Sequence, residues 1–157
     1  MKPKILTLKA DIAADTQAIA EIYSALNRYP DALANEEQMI AVAYHLHNLY
    51  CAFESIFQRV AEVFENQIGD QSGWHVALLH RMTLDIEGIR PALISSVTFD
   101  DLDELRRFRH LFRSAYRLHL DLERLALVRK KARTLERTYT TDLEHFVSFL
   151  DGLLADD

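Results

Sequence analysis

The sequence has little of what a β-sheet, a crosslinked fold or a membrane protein requires. Its 157 residues include four glycines and three prolines, and apolar residues seldom alternate with polar ones, so we expect no sheet. Cys51 is the single cysteine, which excludes a disulfide within the chain, and its apolar neighbours predict a packed thiol. No segment approaches the roughly 18 uninterrupted apolar residues of a membrane span, and no signal peptide is evident. These absences favour a soluble, cytoplasmic protein.

Positive charge is scarce overall and concentrated in one region. The formal net charge is −6, yet residues 106–137 hold eleven Lys or Arg against three carboxylates, a local balance of +8. The rest of the chain therefore carries −14. Such a distribution favours a region that meets a polyanion while the remainder repels it. Charge alone leaves a second interpretation open, in which these cations form a solvated face and pair with acidic residues elsewhere.

Helical periodicity covers most of the chain and predicts five helices in a single domain over residues 1–157. We expect helices at about residues 9–27, 36–66, 74–83 and 121–154. A further helix, opened by Thr98 or Asp100, carries the basic stretch. Its first turn would hold four carboxylates that complement the helix dipole. These are Asp100, Asp101, Asp103 and Glu104.

Two of the predicted helices carry long apolar stripes with three-four spacing. Asn35, with Gln38 three residues later, is expected to cap the second helix. The length of its stripe predicts an antiparallel partner along the whole helix, and thus an all-α antiparallel bundle. The stripe of the second helix consists of Met39, Val42, Leu46, Leu49, Phe53, Ile56, Val60 and Val63, and that of the last helix of Leu122, Leu125, Val128, Ala132, Leu135, Tyr139, Leu143, Phe146, Leu150 and Leu153.

Residues 106–119 contain five arginines, two histidines and no carboxylate. Guanidinium groups this close repel one another unless an anion lies opposite, and the phosphate of a nucleic acid or nucleotide would serve. In this stretch Arg109 is followed by His110, Ser114 and Tyr116. The spacing resembles the motif of the HepT-like ribonuclease toxins of the HEPN superfamily: an Arg, a polar residue, three further residues, a His, one residue and a Tyr. Ser114 stands where that family has the His.

The segments around the motif also resemble this family, over about residues 37–150. They are residues 46–50 with Phe53 and Glu54, residues 73–75 with Leu78, Leu79 and Met82, and residues 118–121. The resemblance implies a HEPN-like bundle that forms a homodimer, with a composite site at the two-fold axis and with helices two and five available for the interface. It also implies a metal-independent endoribonuclease that acts on RNA, uses no cofactor and is paired with a nucleotidyltransferase-type antitoxin. In this family such a partner can add AMP to the motif tyrosine, here Tyr116.

RNA cleavage without a metal needs a base for the ribose 2′-hydroxyl, an acid for the leaving oxygen and a cation beside the phosphate. Arg109 would hold the phosphate with two parallel hydrogen bonds. An unassisted serine is a poor base near neutral pH, so with Ser114 in the motif, proton transfer would fall to His110, His119 or Tyr116. We therefore expect the catalytic site to comprise Arg109, His110, Ser114 and Tyr116.

Further basic residues are candidates for RNA binding. They are Arg106, Arg113, Arg117, Lys130 and Arg133, while Arg129, Lys131 and Arg137 either track phosphates or form a solvated face. Glu54, beside an apolar helix face, is expected to pair with Arg109 or Arg113. No metal site is expected, because repeated Glu-x-x-His units are absent. Two alternatives remain open: an inactive HEPN bundle that binds RNA, a nucleotide or a nucleotidyltransferase partner, and an inert structural bundle.

Overall fold

The computed structural model describes residues 1–65, 73–114 and 119–156. These ranges contain five helices and no β-strand, apart from an isolated bridge between Ile86 and Arg90. The all-α expectation is confirmed. In the described ranges no helix is long and apolar enough to cross a membrane. The helices are α1 (Lys2–Leu26), α2 (Glu36–Glu65), α3 (Trp74–Arg81), α4 (Ser96–Ser114) and α5 (Leu122–Ala155).

α1 and α2 pack antiparallel, because contacts that lie earlier in α1 reach later residues of α2. Ser55 Oγ donates a hydrogen bond to Asp15 Oδ2 (3.1 Å). Arg59, one turn further along α2, pairs with Asp11, one turn earlier in α1 (Nη1–Oδ2 2.9 Å). The two helices are therefore joined by polar contacts along the edge of their apolar interface.

The predicted start of the first helix near residue 9 is wrong, since α1 begins at Lys2. Pro3 lies in the first turn, where a helix needs no N–H donor. Ile5 and Leu8 are buried and continue the apolar stripe toward the N-terminus. The helix therefore extends as far as its buried face does.

α2 lies at the centre of the core, with the other four helices packed against it. Six of its eight predicted stripe residues are fully buried, and only Met39 and Val63 at the two ends are partly buried. Each buried aliphatic or aromatic side chain contributes about 1.5–3 kcal/mol. The stripe is buried within this chain, so this face of helix two is not available for the dimer interface that the sequence led us to expect.

α4 begins at Ser96 and not at Thr98 or Asp100 as predicted. Asp142 of α5 accepts hydrogen bonds from Ser95 N (3.0 Å), Ser95 Oγ (3.1 Å) and Thr98 Oγ1 (2.5 Å). These bonds satisfy donors at the start of α4, which otherwise have no partner within the helix. The helix consequently starts earlier, and the predicted acidic cluster falls in its second turn.

α5 runs antiparallel to α4. Near the start of α4, the hydroxyl oxygens of Thr98 and Thr138 lie 3.0 Å apart, whereas further along Arg124 Nη2 pairs with Glu104 Oε1 (2.9 Å). The predicted inward stripe of α5 is buried from Leu125 to Leu150, but Leu122 is 51 % exposed, because the first turn extends past the core.

Arg129 of α5 closes the end of α1 and does not track phosphates. It is buried, and its guanidinium donates to the carbonyls of Leu26 (3.0 Å), Tyr29 (2.6 Å) and Pro30 (2.7 Å). The last carbonyl groups of a helix have no hydrogen-bond donor within the helix itself. Arg129 supplies those donors from a neighbouring helix.

The first turns of α2 and α5 are each capped by the side chain of the preceding residue. Asn35 Oδ1 accepts a hydrogen bond from Gln38 N (2.9 Å), which confirms Asn35 as the cap of α2. Asp121 Oδ1 accepts from the backbone N of residue 123 (3.0 Å) and caps α5.

A buried ion pair holds the connection between α3 and α4. Arg90 Nε donates to Glu65 Oε1 (2.9 Å) at the end of α2, and Arg90 Nη2 donates to the carbonyl of Arg81 (3.0 Å). Gly88 has a φ of 76° in the turn before Arg90, a left-handed conformation that favours glycine. The pair therefore fixes α3 against the end of α2.

Candidate functional site

Side chains from three helices meet at the guanidinium of Arg109 on α4. The Arg109 side chain is 12 % exposed. Its Nε donates to Cys51 Sγ (3.2 Å), and its Nη2 lies 3.7 Å from Glu54 Oε1. Cys51 and Glu54 are three residues apart on α2 and so share one face of that helix. The expected pairing of Glu54 with an arginine is confirmed.

α3 adds His75 to this group. His75 Nδ1 lies 2.6 Å from Glu54 Oε2 and 3.4 Å from Arg109 Nη1. A contact of 2.6 Å between an imidazole nitrogen and a carboxylate needs a proton between them, so we assign that proton to Nδ1, which donates to Glu54. Arg109 Nη1 is itself a donor and therefore only packs against Nδ1. In the neutral ring the lone pair is then on Nε2.

Glu54 is a buried carboxylate that is compensated from two sides. Burial of an unpaired carboxylate costs several kcal/mol. The charge of Arg109 and the N–H group of His75 offset this cost, and the three side chains together are electrically neutral while His75 is neutral. Within the described ranges Arg109 Nη1 packs against His75 and Nη2 pairs with Glu54 at 3.7 Å, but neither group donates a hydrogen bond, so their N–H groups can donate to an anion.

Tyr50 and His47 lie beside this cluster on α2. Tyr50 is fully buried, and no described residue forms a hydrogen bond with its hydroxyl. Burial, with a smaller effect of the Glu54 carboxylate, raises the pKa of Tyr50, so its hydroxyl stays protonated near neutral pH. Burial also lowers the pKa of His47, and the charge of Arg109 lowers that pKa further. His47 is therefore neutral at pH 7.

Of the other motif residues, His110 lies in the described part of α4 and its side chain is exposed. Ser114 is the last residue of α4. Tyr116 and Arg117 are not among the described residues. His110 and His119 are exposed and make no hydrogen bond, ion pair or ring contact within the part of the chain that the structure describes. Neither histidine contacts the side chain of Arg109.

Nearby carboxylates pair with many cations of the basic region. The interpretation of a paired, solvated face therefore holds for much of this region, including Arg106 and Arg133. Arg113 and Lys130 are exposed and have no ion pair with another described residue. The ion pairs are Arg106 and Arg107 with Asp103, Arg124 with Glu104, Lys131 with Asp101, and Arg133 with Asp31.

Sequence reasoning missed His75 as a member of the site. Its spacing held a usable signal, because His75 precedes Leu78 and Leu79 by three and four residues and so lies on the inward side of a short helix. Both leucines are buried. A histidine on the buried face needs a polar partner, but the sequence does not indicate which carboxylate provides it.

The described site lies within a recognised family region. The family model described as HepT-like protein matches residues 41–150. The chain belongs to the HepT-like protein family. The matched region includes Cys51, Glu54, His75 and Arg109, as well as the whole of α4. A comparison with curated proteins and one with solved structures found no match.

Proposed function

We propose that this HepT-like protein is the RNA-cleaving toxin of a toxin–antitoxin pair, and that it acts as a metal-independent endoribonuclease. The observation that carries the proposal is the placement of the Arg109 guanidinium beside a carboxylate and an imidazole, at 3.7 Å and 3.4 Å. A guanidinium binds a phosphate and stabilises the charge that builds on it during cleavage. An imidazole next to the bound phosphate can transfer protons.

RNA would reach Arg109 across the exposed end of the basic region. Arg113 lies one turn after Arg109 on α4, and Arg113 and Lys130 have no ion pair with another described residue. Their charges are free to replace counterions on the RNA backbone. Arg106 and Arg133 already pair with carboxylates, so they would contribute less. Arg117 stays a candidate from its sequence position alone.

We also propose a homodimer that brings two copies of the site together. Ile40 and Tyr44 of α2 are large apolar side chains with 47 % and 54 % exposure. They lie four residues apart and share a helix face with Cys51, seven residues after Tyr44. A second copy that covers this apolar face would place its own α2 next to Arg109. The proposed antitoxin is a nucleotidyltransferase, which would modify Tyr116.

The test is a cleavage assay with purified protein on structured and on single-stranded RNA in the presence of EDTA. We expect the wild type to cleave and Arg109→Lys to be inactive, because a lysine keeps the charge next to Glu54 but cannot form two parallel bonds to a phosphate. Lys4→Gln, at an exposed position of α1, serves as the control and should cleave normally. Absence of cleavage by the wild type at any RNA would contradict the proposal.

A second function is favoured by Ser114 in the position of the family's histidine. In this case the protein is an inactive HEPN bundle that binds RNA, a nucleotide or a nucleotidyltransferase through its arginines. It would bind RNA in a salt-dependent manner without cutting it. Binding without cleavage in the same assay therefore distinguishes the two functions.

A further inference from the structure

We propose that His75 is the general base of the cleavage reaction and replaces the motif histidine that is absent at Ser114. This inference rests on the proposed ribonuclease function. His75 is on α3, outside the motif helix, yet its Nδ1 atom lies 3.4 Å from Nη1 of Arg109. A base has to lie within reach of a substrate bound by the phosphate-binding residue, and His75 meets this condition.

The orientation of the imidazole suits a base. Nδ1 donates to Glu54 Oε2 at 2.6 Å, which leaves the lone pair on Nε2. Within the described ranges Nε2 has no hydrogen-bond partner, and the side chain of His75 is 28 % exposed. The nitrogen that has to accept the proton is thus unoccupied in a partly open site.

Glu54 acts as a positioning residue for His75. A carboxylate that accepts a hydrogen bond from one ring nitrogen fixes the tautomer and the orientation of the ring, and it stabilises the imidazolium that forms when the other nitrogen takes a proton. Glu54 is itself 6 % exposed, so solvent screens this interaction little. Among the described residues, two with charged side chains contact His75: Glu54 from α2 and Arg109 from α4.

The other described histidines lack this arrangement. His110 and His119 are exposed and contact neither Arg109 nor a carboxylate within the described chain. His47 lies beside Cys51 and packs its ring on Phe112 at a centroid distance of 5.1 Å. Nδ1 of His47 forms a hydrogen bond with the side-chain amide oxygen of Asn48, and no carboxylate contacts this ring within the described chain. His75 is therefore the described histidine with both a carboxylate and the phosphate-binding arginine next to it.

The reaction balances with solvent water as the only co-reactant. His75 Nε2 takes the proton of the ribose 2′-hydroxyl, the 2′-oxygen bonds to phosphorus, and the bond from phosphorus to the 5′-oxygen of the next nucleotide breaks. The leaving 5′-oxygen takes a proton from water, and the imidazolium returns its proton to the hydroxide that remains. The products are a 2′,3′-cyclic phosphate and a 5′-hydroxyl end.

The decisive variant is His75→Asn, whose side-chain amide can still donate to Glu54 at the position of Nδ1 but has no base at Nε2. We expect its cleavage rate to fall by roughly 10²–10⁴-fold, the usual contribution of a positioned base, with unchanged RNA affinity and melting temperature. His80→Asn is the matched control. His80 is on the same helix, is exposed and packs on Phe99, so its replacement should leave cleavage unchanged.

The pH dependence of the cleavage rate gives a second measurement, and for the wild type it does not depend on the folding of a variant. A histidine base loses activity as pH falls through the range in which histidines titrate, about pH 5–8. The wild-type rate should show this acid limb, and Glu54→Gln should shift it, since a merely structural role of Glu54 would change the amount of folded protein and not the midpoint. A flat wild-type profile would overturn the assignment of His75.

The outcomes separate the inference from the function on which it rests. Cleavage by the wild type that His75→Asn retains in full would overturn the role of His75 and leave the ribonuclease proposal standing. No cleavage by the wild type would overturn both. Loss of cleavage in His75→Asn with intact RNA binding, and normal cleavage by His80→Asn, would support both.

Discussion

Arg109 brings a positive charge into a largely buried site, where Glu54 is its counterion and Cys51 accepts a hydrogen bond. The residue thus has a structural role in addition to the proposed binding of phosphate. For this reason a loss of activity on replacement by alanine is ambiguous, and stability has to be measured with it.

We expect Arg109→Ala to lower the free energy of unfolding by roughly 3 kcal/mol, because it leaves Glu54 as a buried carboxylate with one partner fewer. The double variant Arg109→Ala/Glu54→Gln should recover part of this loss, since it removes the charge. Urea unfolding followed by circular dichroism measures both. Arg113→Ala is the control, with a change within about 0.5 kcal/mol. If Arg109→Ala has the same free energy of unfolding as the wild type, the ion pair between Arg109 and Glu54 does not stabilise the fold.

Ser114 is the residue at which the chain departs from the Arg-His-Tyr motif that residues 109–116 resemble. If His75 supplies the base, as we propose, Ser114→His should change the cleavage rate by less than about tenfold. If the proton-transfer group is simply missing, the same substitution should raise the rate by roughly 10²–10⁴-fold. Single-turnover cleavage of a labelled RNA decides between the two results. Such a large increase would count against His75.

At the scale of elements, α4 is positioned by its first turn, far from the motif. Asp142 of α5 accepts hydrogen bonds from Ser95 and Thr98, and Arg124 of α5 pairs with Glu104. α4 is in this way attached to α5 at several points, while its buried face packs on α2. The location of Arg109 opposite Glu54 depends on this attachment.

Asp142→Ala should destabilise the protein by about 1–3 kcal/mol, because it leaves donors at the start of α4 without acceptors. Amide hydrogen exchange in the first turn of α4 should become faster, because this end of the helix opens more easily. Glu144→Ala, an exposed carboxylate on the same helix, is the control and should change neither quantity. Equal exchange in Asp142→Ala and the wild type would mean that the start of α4 is held by packing alone.

At the scale of the whole molecule, the buried faces of the helices form one core inside the protomer. Ile40 and Tyr44 on α2 lie outside this core and are exposed, so they are the apolar residues that we propose for the contact between two copies. Acidic residues pair with much of the basic region. Arg113 on α4 and Lys130 on α5 are exposed and have no ion pair with another described residue, so their positive charges face the solvent.

We expect the wild type to be a dimer at micromolar concentration and Tyr44→Glu to be a folded monomer, because a buried charge at an apolar contact is costly. Light scattering gives the mass, and circular dichroism confirms the fold. Val97→Glu introduces the same charge at another exposed position, with 54 % exposure, and should remain dimeric. A monomeric wild type would remove the composite site from the proposed mechanism.

RNA binding should weaken steeply with salt, and Arg113→Gln should lower both the affinity and the slope of log K against log salt. The loss of one phosphate contact changes this slope by about 0.7–0.9. Lys4→Gln has the same charge change on α1 and should leave the slope unaffected. Fluorescence anisotropy at several salt concentrations measures it. If Arg113→Gln and Lys4→Gln behave alike, RNA does not bind along α4.

Local patterns in the sequence were sufficient to predict the five helices and the buried faces of the two longest. The three-four stripes of α2 and α5 predicted their buried faces, and Asn35 predicted the start of α2, since these features depend on neighbours within about one turn. Helix starts were predicted less well where a distant residue takes part. α4 begins early because Asp142, far along the chain, accepts its first hydrogen bonds.

The candidate site could be predicted only in part from the sequence, and the rest became visible in the tertiary structure. The sequence by itself predicted Arg109 as a phosphate-binding residue and a cationic partner for Glu54, because motif spacing and a carboxylate beside an apolar stripe can be read directly. Only the tertiary structure decided that His75 joins them, that Arg129 closes α1 and that carboxylates pair with much of the basic region. Each of these depends on which side chains meet when separate helices pack, and short-range spacing does not contain that information.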